Sequence, residues 1–176
     1  MIGLRRYRPR VAIVTAISLS GIAFLTPPAA VAAQLQPDAC KVLTPEEAKR
    51  VLGKTPHREA KIRSVQGSEC IYAAEKDAKR IVRLALGEFS SKDEASNAYA
   101  RARAKAQFDG LKVENVRGVG QRAHWLPQTN NFERTVLGEQ VAFGELTVLE
   151  GRRVYSMFTA PPSKSKARDA MKRVIS

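Results

Sequence analysis

The sequence predicts an α+β fold: an antiparallel β-sheet with about three helices packed on one face, held by one disulfide. Three observations predict it. Capping signals open three separate helical stretches. Period-two alternation fills the segments between them. The chain also holds two cysteines, Cys40 and Cys70. The order helix, two strands, helix, four or five strands, helix places the helices against one layer of sheet.

Taken in order, the chain opens on an export signal. Arg5, Arg6, Arg8 and Arg10 come first, without an acid, and Val11–Leu25 is an apolar run of 15 residues. Pro27 and Pro28 then break any helix, and Ala30 and Ala32 fit a small-residue cleavage site. These three parts make residues 1–32 a cleavable signal peptide, cut after Ala32 or after Ala33. The run is shorter than the ~20 residues that span a bilayer, which sets a membrane anchor aside. Residues 33–39 read as a flexible leader and 40–176 as a single domain, long enough for one modest core.

Thr44-Pro45-Glu46-Glu47 is a capping box with proline at the first helical position. Ala48, Val51 and Leu52 give that helix an apolar face and Gly53 ends it. Residues 54–68, punctuated by Pro56 and Gly67, read as a loop with a short strand near "KIRSV". "ECIYAA" and "RIVRLALGEF" are strands joined by "EKDAK". Ser91-Lys92-Asp93-Glu94 is a second capping box. Behind it Ala95, Ala98, Tyr99, Ala102 and Ala106 line one helical face, while Arg101, Arg103 and Lys105 point elsewhere. "LKVENV", "GVGQRAHWLP", "FERTV", "VAFGELTVLE" and "RRVYSMFTA" are the later strands, with a tight hairpin at Glu150-Gly151. Ser163 caps a last helix striped by Ala167, Ala170, Met171 and Val174.

Charge and cysteine usage set the compartment and the partners. The whole chain has a formal net charge of +13. Without residues 1–32, 26 Lys+Arg face 17 Asp+Glu, a net charge of about +9. Such basicity ordinarily suggests nucleic acid, but export argues against an intracellular nucleic-acid role. An anionic membrane, an envelope polymer or another exported protein are the expected partners. In an oxidising compartment two cysteines read as one disulfide, Cys40 with Cys70. The alternatives are a lipid anchor on Cys40 and a metal site. Pro37 and the interval "AQLQPD" spoil a lipobox, and a metal site wants clustered Cys and His.

"CKVLTPEEAKRVLG", "CIY" and "GVGQRAHW", followed by a hairpin and a terminal helix, resemble small exported bacterial envelope domains of unknown function. Those domains join a Cys-x-Leu-Leu-Thr-x-Glu helix to a Cys-x-Tyr strand, and many are lipoproteins. The resemblance covers Cys40 to Val174 and implies that Cys40 and Cys70 pair. This chain departs from the pattern in carrying Gln121 where an acid is usual and in lacking a lipobox. The family assigns no catalytic residues.

Motifs for chemistry are missing: the sequence has no Gly-x-Ser-x-Gly, His-Glu-x-x-His or Walker loop. Gly118–Gly120 precedes a strand and reads as a turn. His124 and Trp125 are adjacent and so face opposite sides of a strand, Trp125 in the core and His124 at the surface. His57 follows Pro56 in a solvated loop. Glu47 is explained by capping. No catalytic, cofactor or metal residues are therefore expected. Lys164, Arg168 and Lys172 form one stripe on the last helix, with Arg152 and Arg153 just before it in sequence. These five are the expected contacts for an anionic partner. The expectation is a non-enzymatic binding or accessory protein, periplasmic or secreted. A cryptic hydrolase and an inhibitor of another exported protein are the alternatives.

Overall fold

A computed structural model describes residues 37–64, 67–75, 77–136 and 139–176. The predicted signal peptide and residues 33–36 of the leader lie outside the described residues. Seven strands form one antiparallel sheet in the order β1-β2-β3-β7-β6-β5-β4. The strands are β1 (Pro56–Ser64), β2 (Gly67–Ala74), β3 (Asp77–Glu88), β4 (Glu114–Val116), β5 (Arg122–Val136), β6 (Glu139–Glu150) and β7 (Arg153–Ala160). The helices are α1 (Ala39–Val42), α2 (Pro45–Leu52), α3 (Lys92–Phe108) and α4 (Lys164–Ile175). The α+β class and the antiparallel sheet are those the sequence predicts. β1–β3 and β4–β7 are two runs of consecutive antiparallel neighbours, joined where β3 pairs with β7.

Local chemistry starts each helix. The Thr44 hydroxyl accepts from the Glu47 amide, and Gly53 at φ 71° closes α2 in a left-handed turn. The Ser91 hydroxyl likewise accepts from the Glu94 amide at 3.1 Å. Ser163 stands at the N-cap of α4 but makes no side-chain capping bond. Its amide instead donates to the Thr159 hydroxyl at 3.0 Å. Ahead of α2 the chain is held sooner than the sequence suggests. Asp38 caps α1, and the fully buried Ala39 donates its amide to the Ser68 hydroxyl at 2.7 Å.

The segment read mostly as loop is β1. It is an edge strand with one outer side unpaired, which is where a proline at the first position and several charges are tolerated. A bulge between Arg58 and Ala60 breaks its alternation, so period two is hard to see in the sequence.

Alternation on the inner strands sorts the core. Tyr72, Leu84, Met157, Leu146 and Trp125 face α1, α2 and α4, and Leu52, Ala167, Met171 and Leu43, just after α1, pack against them. The opposite face carries Ile71, Ile81, Phe143 and Phe158, and, next to them, Ala95 and Tyr99 of α3 against Leu149. Helices therefore cover both faces: three on one side and α3 on the other. Phe89 explains the choice. It continues the outward parity of Ile81, Arg83 and Ala85, and it packs with Val154 and the α3 residues on that second face.

Cys40 and Cys70 are disulfide-bonded, with Cα atoms 5.0 Å apart and 30 positions between them in sequence. The bond ties α1 to β2.

Candidate functional site

The five basic residues singled out from the sequence sit in two places, on α4 and at the β6–β7 turn. Lys164 of α4 reaches Glu114 of the edge strand β4 at 2.9 Å. Lys112 shares the same carboxylate at 2.9 Å. The two ammonium groups hold the Glu114 pKa down to about 2. Arg168 pairs with its neighbour Asp169 at 3.3 Å. Lys172 is exposed and has no acidic partner among the described residues. Arg152 and Arg153, at the β6–β7 turn, converge on Glu88 at 3.7 and 3.5 Å. The stripe on α4 and the arginine pair thus engage different elements, β4 and the end of β3.

A second arrangement was not legible in the sequence: a buried polar row on the face that α3 partly covers. Cross-strand register sets Ser156 beside Thr147, and Thr147 beside His124. Arg83, Phe158 and Glu145 follow on the next row. Thr147 donates to the Glu145 carboxylate at 2.9 Å, and the Thr147 and Ser156 hydroxyls are 3.1 Å apart. Burial pushes the Glu145 carboxyl pKa up, against the pull of both hydroxyls and the Arg83 charge. Arg83 grips Glu69 with two hydrogen bonds, at 3.1 and 2.7 Å, and lays its guanidinium 4.7 Å from the Phe158 ring centre.

His124 is buried, not exposed: it is 1% accessible, as Trp125 is 3% accessible on the other face. The expectation of a surface histidine fails because α3 covers the second face of the sheet. The Tyr99 ring stands edge-on to the imidazole, 5.1 Å between centres. Burial, and then the charge of Arg103, lower the His124 pKa to about 4. Its Nδ1 has no hydrogen-bond partner among the described residues. The hydroxyls of Ser156 and Thr147 are engaged with each other and with Glu145, and neither is hydrogen-bonded to His124 Nδ1. His57 is exposed on the edge strand β1, five strand spacings from β5, or about 24 Å. The two histidines cannot share one site.

One cleft of about 210 Å³ opens between α2, the end of β7 and α4, lined by Val51, Leu52, Arg80, Thr159, Ser163 and Lys166, among others. Arg80 and Lys166 project there onto the last carbonyls of α2, at Leu52 (3.3 Å) and Val51 (3.1 Å). Cations at the negative end of a helix stabilise it. The cleft is smaller than the ~300–1,000 Å³ of typical ligand pockets, and its charges already serve the helix end.

No protein-family model matches the chain, and no curated protein matches it. Among the described residues, no helix is long and apolar enough to cross a membrane.

Proposed function

We propose that this protein is an exported, non-enzymatic binding or accessory domain whose basic surface meets an anionic partner in the cell envelope. The observation that carries this reading is the way charge is spent. The acids are largely engaged: Asp38, Glu47, Asp77, Glu88 and Glu114 each hold two cations. The net charge of about +9 beyond residue 32 therefore remains as cations facing solvent, Lys172 among them. The disulfide suits an oxidising compartment, and the basic, apolar and small-residue sequence of residues 1–32 suits export.

The contact surface is the α4 stripe Lys164, Arg168 and Lys172, with Arg152 and Arg153 contributing from the β6–β7 turn. A cation near an anionic surface contributes about 1 kcal/mol. Two of the three stripe cations are already half-neutralised by Glu114 and Asp169. Reversing all three to glutamate should weaken retention on phosphatidylglycerol-containing vesicles by at least about tenfold, and salt should weaken the wild type in parallel. Retention that ignores both salt and the triple substitution refutes the α4 surface.

A further inference from the structure

We propose that the C-terminal end of α3 is a membrane-contact site, at which the Phe108 ring enters the interface of a bilayer with anionic headgroups. Phe108 is 91% exposed. It occupies the last position of α3, on the side opposite the buried stripe of Ala95, Tyr99 and Ala106. Ala104 and Arg101 lie one and two turns behind it on that outer side, all three exposed, with Lys105 beside them. Core packing explains none of these.

Its neighbours fit a bilayer surface. Arg101 has no acidic partner among the described residues. Lys105 is held near the helix end by Asp109 at 2.8 Å, and Lys112 lies just beyond the Asp109-Gly110 turn. Long cationic chains around one aromatic ring can lie along the surface with their charges toward phosphates while the ring sits deeper. A partner protein fits less well. One phenylalanine buries ~150–200 Å², well under the ~800 Å² per partner of a stable complex. A bilayer needs no matching pocket.

This site goes beyond the charge-based reading of α4 and fails separately from it. The two meet at the β4 edge, where Glu114 holds both Lys112 and Lys164. The contribution of the ring, however, is apolar and survives salt that screens the cations. The test compares wild type, Phe108→Ser and the triple reversal at Lys164, Arg168 and Lys172, on phosphatidylglycerol vesicles and on immobilised heparin. Phe108→Ser should lower partition onto the vesicles about tenfold, leave heparin retention unchanged and leave the fold intact, as befits an exposed position. A Phe108→Trp variant should gain fluorescence that brominated lipids quench. Unchanged partition of Phe108→Ser, an unquenched Trp at 108, or a dimer that Phe108→Ser splits into monomers would each overturn the proposal. Equal loss on both supports in the triple reversal alone would do so too, while leaving the α4 surface standing.

Discussion

His124 carries a pH dependence whose sign follows from its burial. Its pKa falls from 6.5 to about 4 on folding. The unfolded chain therefore binds a proton that the native protein refuses. Stability from this residue is complete above pH ~6.5 and drains as pH falls toward 4, by about 3 kcal/mol at most. Urea denaturation across that range should show the loss, and His124→Phe should flatten it. Glu145 acts with the opposite sign. Its pKa is raised, so the native state takes up a proton more readily than the unfolded chain, and folding is penalised as the carboxyl ionises at higher pH. Glu145→Gln should therefore unfold at higher denaturant concentration than wild type at neutral pH, and that advantage should vanish in acid. A variant no more stable than wild type at neutral pH would show that Arg83, Thr147 and Ser156 fully compensate the buried charge.

Among the elements, two close arrangements fix neighbouring segments. The disulfide between α1 and β2 closes a loop of 30 positions. Replacing both cysteines by alanine should lower stability by roughly 3–4 kcal/mol in chemical denaturation, on chain-entropy grounds. Trp125 lies over Gly144 of the neighbouring strand. A Cβ added at Gly144 would come within 2.3 Å of the indole and 3.0 Å of Pro162. Gly144→Ala should shift the tryptophan emission and cost about 1–3 kcal/mol; an unchanged spectrum would mean that the ring has room to move.

The capping boxes announced α2 and α3 because a cap is local chemistry. β1 was veiled by its edge position and bulge. The burial of His124 depended on which face α3 chose, a tertiary outcome that the pair His124-Trp125 cannot encode alone. The row of Glu145, Thr147 and Ser156 was hidden for the same reason, since cross-strand neighbours are distant in sequence. Phe108 was visible as an apolar residue off the apolar stripe of its helix, on the side to which Arg101 also points.

For the whole molecule, the proposed role puts the excess positive charge to use in contact with an anionic envelope surface. Surface charge then carries the specificity, and binding must weaken as salt shortens the Debye length from ~10 Å at 0.1 M to ~3 Å at 1 M. The most direct measurement is the partition coefficient on vesicles with and without phosphatidylglycerol, followed from low to high salt. Strong binding to the anionic vesicles, a steep fall with salt and little binding to neutral ones are expected. Equal partition onto both vesicle types, or no binding to either at low salt, would contradict the proposed role.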